Sequence, residues 1–398
     1  MKIGILIVGL VPYGAERAAI RLAQGMKERG IDVSILVTDA PPPIRVENVP
    51  VIPMLHGEKL NLFQEFLYAP IQYIRLRRLI KKEKFDILIS FMERANIFNL
   101  TLAGSHRRIL TVHIYLKISF KESGVLRRVF TKIFYTLFLH RADRVFCVSK
   151  ASMDDFANTF HIKPDKLGVI YNPCDIRHLL SLAQEPIEAQ YRRLFEGDVI
   201  INVGRFDKQK GQWYLIRAFK KILNTISDVR LILLGDGKLR GYAESLANDL
   251  GIRDKVHFLG FQQNPLKFMS RATVFSFPSL WEGYPVALVE ALICKAAIVA
   301  ADCKTGPREL LAPDTDFSQV AEGIEKAEYG ILTPPFDGEF KDAQAPLTKE
   351  ESILAEALLL LLQDNSLRER YKQVSCQRID TFRTDRIIEE WMDVFKNL

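Results

Sequence analysis

The segment Phe277-Pro278-Ser279-Leu280-Trp281-Glu282-Gly283-Tyr284-Pro285-Val286-Ala287-Leu288-Val289-Glu290-Ala291 sets two carboxylates, Glu282 and Glu290, eight positions apart across a glycine–proline turn. An apolar run precedes the turn and a helical pattern follows it, with Pro285 suited to the first helical position. Free backbone N–H groups at such a helix start favour a diphosphate. At about 1.5 Å rise per residue, that spacing spans up to ~12 Å. This is about the separation of the sugar and the ribose in one nucleotide-sugar, so one carboxylate can take hydroxyl hydrogen bonds from each. On spacing alone, an ordinary strand–turn–helix with two surface glutamates reads equally well.

A second group is Val203-Gly204-Arg205-Phe206-Asp207-Lys208-Gln209-Lys210-Gly211. Arg205 and Lys210 fall on a short loop after an apolar run. Two fixed cations there would neutralise a diphosphate and stabilise it as a leaving group. Taken alone, the loop is also a solvated basic turn.

The elements that must position these residues are legible as a pattern. Short β-branched runs alternate with helix-period segments throughout. In the first half they are Lys2–Gly9, Asp32–Thr38, Phe85–Phe91, Arg108–His113, Arg144–Ser149 and Leu167–Tyr171. In the second half they are Asp198–Gly204, Val229–Gly235, Lys255–Gly260, Thr273–Pro278 and Ala296–Ala301. Runs apolar on both faces, separated by helices, predict parallel α/β sheets. The pattern restarts after the polar segment Ser181 to Gly197. The expected organisation is therefore a domain over 1–180, a linker over 181–197, a second domain over 198–381 and a closing helix over 382–398. Ala312 to Glu350 reads as a long loop with one strand, Tyr329–Thr333. Helices are expected over Glu350–Gln363, Asn365–Thr381 and Asp385–Phe395. Ligands of doubly wound sheets sit beyond the C-terminal strand ends, where both groups above fall.

The composition is that of a globular protein, with 48% hydrophobic and 26% charged residues. No stretch approaches the ~20 apolar residues of a membrane span. Lys2–Gly9 is followed by a glycine turn and a helical pattern, which reads as a first strand and not a signal peptide. The five cysteines form no C-x-x-C, so metal and disulfide frameworks are not expected and a reducing cytosol fits. Residues 1–180 carry 27 Lys+Arg against 16 Asp+Glu, whereas residues 181–398 carry 28 against 32. A basic first half suits an anionic partner such as phosphate, nucleic acid or a membrane surface.

Glu282-x₇-Glu290, the Gly204-Arg205…Lys210-Gly211 loop, Gly235-Asp236-Gly237, Phe258-Leu259-Gly260-Phe261 and Thr305-Gly306-Pro307-Arg308-Glu309 occur together at characteristic spacing. The chain thereby resembles glycosyltransferase family 4, of GT-B fold. That resemblance implies two Rossmann-like doubly wound parallel-sheet domains facing a cleft, and the match spans nearly the whole chain. It implies that Arg205 and Lys210 bind the donor diphosphate, that Glu282 faces the donor sugar and that Glu290 holds the ribose. Gly283, Tyr284, Pro285 and Val286 would offer backbone donors. Gly260 and Phe261 would receive the base, and Gly204, Gly235 and Asp236 would line the same pocket, Asp236 being equally readable as a turn residue. Asp314-Thr315-Asp316 spells the D-x-D that holds metal in GT-A enzymes. GT-B enzymes use fixed cations instead, so no metal and no cofactor is expected.

In the first half, Gly14 ends the turn after the first strand and would let the backbone approach a phosphate. Many relatives have two glycines here, where this chain has Tyr13-Gly14. His113 ends its strand at the expected inter-domain face, where relatives place a histidine that contacts the donor sugar or supports the acceptor. Glu93 and Asn96 could meet acceptor hydroxyls, although an ordinary structural role is the better reading of both. Ser149-Lys150 and Asn172-Pro173 look like hinge and cleft residues. Leu62–Lys84 and Glu122–Arg141 mix bulky apolar residues with cations, among them Phe63, Phe66, Tyr68, Tyr73, Phe130, Phe134, Tyr135 and Phe138. They read either as half-buried helices or as segments that lie on an anionic bilayer.

The expected function is retaining transfer of a hexose or N-acetylhexosamine from a nucleoside-diphosphate sugar, UDP-linked by resemblance. The expected acceptor is a glycan or lipid-diphosphate-linked saccharide in cell-surface polysaccharide synthesis. The expected location is cytoplasmic, peripheral on the inner face of the cell membrane. Glu282, His113, Arg205 and Lys210 are the expected catalytic group. Rival readings are a GT-B epimerase or glycan synthase, and a non-catalytic membrane or carbohydrate-binding module. An oxidoreductase is disfavoured because Gly9 and Gly14 do not complete G-x-G-x-x-G. No nucleic-acid motif appears.

Overall fold

The computed structural model describes residues 1–10, 14–39, 46–55, 62–113, 115–116, 120 and 124–398. At 62–67 and 126 it describes the backbone alone. Tyr13, Phe63 and Phe66, singled out above, lie outside the described residues or side chains.

The chain divides into two compact units, 1–175 with 382–398, and 176–381. The first is built on a sheet of seven parallel strands in the order β3-β2-β1-β4-β5-β6-β7. These are β1 Lys2–Ile7, β2 Asp32–Val37, β3 Val51–Pro53, β4 Ile87–Phe91, β5 Arg107–Val112, β6 Arg144–Cys147 and β7 Leu167–Val169. The second has β8 Asp198–Val203, β9 Val229–Leu234, β10 Val256–Gly260, β11 Val274–Phe277, β12 Ala297–Ala301, β13 Glu325–Lys326 and β14 Ile331–Thr333. Its order is β10-β9-β8-β11-β12-β14-β13, parallel except for the β13–β14 pair. The central strands are buried on both faces, as the apolar runs predict: β12 reads AIVAA and every residue of it is buried.

The helices of the first unit include α1 Gly14–Glu28, α2 Leu62–Glu83, α3 Glu93–Thr101, α4 Val125–Phe138 and α5 Lys150–Phe160. The helix α6, Ile176–Gln184, opens the second unit. It is followed there by α7 Gln212–Leu223, α8 Arg240–Asp249, α9 Leu266–Met269, α10 Val286–Ile293, α11 Pro307–Leu311, α12 Lys349–Gln363 and α13 Asn365–Asp380. The last helix, α14 Thr384–Lys396, belongs to the first unit, where Ile388 packs against Gly25 of α1 and Trp391 meets Phe146 edge-on at 5.2 Å.

Two expectations are corrected. Residues 181–197 are not a free linker, because α6 continues to Gln184 and the segment is tied into the second unit. Asn264 donates to the Leu182 carbonyl at 2.8 Å and Lys267 pairs with Glu188 at 2.8 Å. The loop Ala312 to Glu350 holds a second strand, the two-residue β13, too short to leave a periodic signal. Among the described residues no helix is long and apolar enough to cross a membrane.

Candidate functional site

In the second unit the loops after β8, β9, β10, β11 and β12 all leave the C-terminal ends of neighbouring strands. Gly204, Arg205, Lys210, Gly235, Asp236, Gly260, Phe261 and Glu282 are thereby brought to one edge. The strand order reverses direction between β8 and β11. Such a switch point is where open α/β sheets hold ligands.

The loops flanking that point are stitched together. Leu280 donates its amide to the Gln209 carbonyl at 2.8 Å. Gly211 has φ 60°, and a Cβ there would strike the Pro278 carbonyl, so only glycine fits. Across this seam the Lys210 ammonium donates to Glu282 Oε1 at 2.7 Å, and the other oxygen, Oε2, accepts from the Gln209 side-chain amide at 3.1 Å. Gln209 also donates to the Trp281 carbonyl at 2.9 Å. From the β12 side the Thr305 hydroxyl donates to the Glu282 carbonyl, with Thr305 held at φ 70°. Glu282 is buried, so its carboxylate is fixed by two donors and its backbone by a third.

Arg205, like Lys208, is an exposed cation of this loop. Its side chain is 66% exposed, and its guanidinium lies 3.1 Å from Asp207 Oδ2. Phe261 presents its ring at 77% exposure. Asp236 is exposed, and its carboxylate accepts from the Gly237 amide at 2.7 Å within its own turn. Glu290 is buried in the second turn of α10. Together with burial, its charge raises the Cys294 thiol to about 12.

Several backbone groups are already spent. The Gly204 amide donates to the Leu234 carbonyl at 2.9 Å, and the Gly235 amide to the Gly260 carbonyl at 2.8 Å. These glycines bring adjacent turns close, since a Cβ on Gly235 would collide with the Gly204 carbonyl. Pro285 is the residue before the helix, with φ −80° and ψ 79°, and not its first member. The Val286 amide bonds the Tyr284 carbonyl at 2.9 Å, and proline has no N–H. Of the expected donors Gly283 to Val286, neither Pro285 nor Val286 therefore offers an amide to a ligand.

In the first unit Gly14 is the first residue of α1. His113 follows β5, stacks on Phe91 with ring centroids 5.1 Å apart, and lies 3.0 Å from the Thr111 hydroxyl through Nε2. The Thr111 proton goes to the Ser90 carbonyl at 2.9 Å, so the Thr111 oxygen accepts from His113. Burial lowers the His113 pKa to about 3. His113 is therefore a neutral imidazole with its proton on Nε2 and an acceptor lone pair on Nδ1.

Asn96 is not a ligand-facing residue. It is 1% exposed, accepts from Ser90 Oγ at 2.7 Å and donates to the Thr111 carbonyl at 3.0 Å. Glu93 spends both oxygens on α4, one on Arg127 at 3.0 Å and one on Thr131 at 2.6 Å. These hydrogen bonds are made inside the unit, in line with the structural reading of both residues.

Comparison with known proteins fits this arrangement. The profile described as Glycosyl transferases group 1 matches residues 184–327, and that of Glycosyltransferase Family 4 matches residues 12–178. An uncharacterised glycosyltransferase of Methanocaldococcus jannaschii is 33% identical over 85% of this chain and 89% of its own length. The chain belongs to the family 4 glycosyltransferases. The N-acetylgalactosamine-N,N'-diacetylbacillosaminyl-diphospho-undecaprenol 4-alpha-N-acetylgalactosaminyltransferase of Campylobacter jejuni is 28% identical over 96% of this chain and 95% of its own. The crystal structure of Anabaena HepE in complex with UDP superposes with a TM-score of 0.75 at 20% identity, covering all of both chains. WaaG, a glycosyltransferase involved in lipopolysaccharide biosynthesis, gives 0.68 at 16% identity over 98% and 99% of the two chains. These likenesses establish the GT-B fold, with two parallel-sheet α/β domains.

Sequence reasoning passed over Gln209, Asp207 and Thr305 as individual partners of Glu282 and Arg205, although all three lie inside segments it quoted. Their types are common in turns and gave no signal of their own. The Thr305–Glu309 motif has a structural part as well. Arg308 is 5% exposed and bridges Asp302 at 2.6 Å and Glu325 at 2.7 Å, a structural network beneath the Thr305 turn.

Proposed function

We propose that this enzyme transfers a hexose or N-acetylhexosamine from UDP to a saccharide carried on a lipid diphosphate, with retention at the anomeric carbon. The observation that carries the donor half is the largely buried Lys210–Glu282 pair at the switch point, with Arg205 exposed on the same loop. Arg205 and Lys210 meet the diphosphate, Glu282 meets the sugar, Glu290 meets the ribose and Phe261 meets the base. The bond from the anomeric carbon to phosphate breaks as the acceptor oxygen bonds to that carbon on the same face. The acceptor proton passes to the departing diphosphate. The fixed cations stabilise that leaving group without a metal ion.

The names of similar proteins support the acceptor and the base. The Campylobacter jejuni relative above is named for a diphospho-undecaprenol substrate. A UDP-Gal:alpha-D-GlcNAc-diphosphoundecaprenol alpha-1,3-galactosyltransferase of Escherichia coli is 26% identical over 73% of this chain. Both names specify α bonds, and an α product from an α-linked nucleotide-sugar is retention.

A lipid-borne acceptor is met at a membrane surface. Along α4, Val125, Val129, Phe130, Ile133 and Leu137 are exposed between 47% and 76%. Arg128 and Lys132 are exposed beside them. Phe134 and Tyr135, counted in the expected membrane-facing mixture, are core residues instead. An outward apolar stripe edged by cations suits a peripheral position on an anionic leaflet, the inner face of the cell membrane.

The test is a thermal-shift panel of UDP, GDP, ADP and TDP, repeated with Lys210→Ala. UDP stabilising the wild type but not the variant supports the donor site; stabilisation by none of the four sinks it. Cosedimentation with phosphatidylglycerol vesicles at low salt tests the second part. Binding that survives Phe130→Asp with Ile133→Asp would remove α4 from the membrane.

A further inference from the structure

Resting on the diphosphate role of Arg205, we infer that Asp207 is a built-in competitor for that guanidinium, which the donor displaces on binding and which speeds release of the nucleotide product. Arg205 and Lys210, two of the three cations in the loop after β8, are both paired with carboxylates, but in different ways. Lys210 and Glu282 form a largely buried pair whose carboxylate is held by Gln209 as well. Arg205 and Asp207 form a single contact of 3.1 Å, with Arg205 66% and Asp207 30% exposed. Such a surface pair is weakly held and easily exchanged.

Asp207 is also poorly provided for by its own surroundings. It stands directly before the short turn Lys208–Lys210 and makes no side-chain cap hydrogen bond to it. Its second oxygen, Oδ1, is buried with no hydrogen-bond partner among the described residues. The backbone ties it to Arg205, since the Asp207 amide donates to the Arg205 carbonyl at 2.9 Å. The carboxylate therefore stays beside any anion that Arg205 binds. It opposes a diphosphate twice, by occupying the guanidinium beforehand and by repelling the phosphate charge afterwards. A carboxylate that regains Arg205 as the nucleoside diphosphate departs lowers the barrier to product release.

The experiment is calorimetric titration of UDP, or whichever of the four nucleotides the wild type binds, into wild type, Asp207→Asn, Asp207→Ser, Arg205→Ala and Arg205→Ala with Asp207→Asn, at low salt. Both Asp207 variants are expected to bind about 2–5-fold tighter, the range that an exposed ion pair spans. The gain should vanish in the Arg205→Ala background. With donor sugar, Asp207→Asn should lower KM and strengthen product inhibition by the same factor, with kcat unchanged or reduced. Unchanged or weaker binding in both Asp207 variants, or a gain that persists without Arg205, overturns the inference. If that happens while Lys210→Ala still abolishes nucleotide binding, the donor reading stands and only the competitor role falls. If the wild type binds none of the four, both fall.

Discussion

The Lys210 ammonium and the Glu282 carboxylate lie 2.7 Å apart, with side chains 16% and 5% exposed. They join the loops after β8 and β11, which sequence reasoning had assigned to different parts of one ligand. Breaking a buried pair from one side strands the other charge, which costs more than the pair's net contribution. Lys210→Met should therefore lower unfolding free energy by about 3 kcal/mol. Glu282→Gln keeps an oxygen for Lys210 but turns an NH2 towards the Gln209 amide, and should cost less, about 1–2 kcal/mol. Urea unfolding of both variants checks this, and equal losses would mean that the pair is not buried as described.

Gln209 holds the second oxygen of the same carboxylate and the Trp281 carbonyl beside it. Gln209→Ala removes both anchors while leaving both charges. Misplacing a group at a reacting centre by an ångström costs on the order of 10–100-fold in rate. Turnover should fall by that order, with stability reduced by only about 1 kcal/mol. Gln209→Glu, which sets a second carboxylate against Glu282, should fall further. Steady-state kinetics with the donor in excess decide it, and a wild-type kcat in Gln209→Ala would make Lys210 sufficient alone.

The strands were legible because their apolar runs are buried on both faces. Ile3, Ile5, Ile200 and Ile298 announce themselves by type. The strands β3 and β13, three and two residues long, carry too little pattern to be seen. The boundary was misplaced because α6 and the turn after it are polar outside and read like a linker, although Leu179 and Ala183 face the second unit. At the site, the charged residues were found by type and spacing. Which of them pair was not legible, because the contact between residues 210 and 282 depends on strand order. The partners of Asn96 were not legible for a related reason, since nothing local marks a buried asparagine.

Asn96 joins β4 to β5 through Ser90 and the Thr111 carbonyl. Truncation leaves a buried hydroxyl and a carbonyl without this partner. Asn96→Ala should cost about 2–3 kcal/mol, while KM for the acceptor stays within twofold, about the error of such assays. Chemical denaturation and acceptor kinetics separate the outcomes. A raised acceptor KM with unchanged stability would return Asn96 to the binding surface.

His106 gives the clearest pH signature. It is 4% exposed, and neither ring nitrogen has a hydrogen-bond partner among the described residues. Burial and then the Arg108 charge lower its pKa to about 4. In the unfolded chain the imidazole titrates near 6.5. Between those values the unfolded chain binds a proton that the folded one refuses, so His106 removes stability as pH falls from 6.5 towards 4, and none above that window. His106→Leu removes the effect and the unsatisfied nitrogens together. Relative to its value at pH 7.5, the stability of the variant over wild type should grow by about 2 kcal/mol at pH 5. Other titrating groups are common to both proteins and cancel in that difference. Urea unfolding at the two pH values reads it directly, and parallel pH dependences would mean that His106 reaches water or a partner in the folded chain.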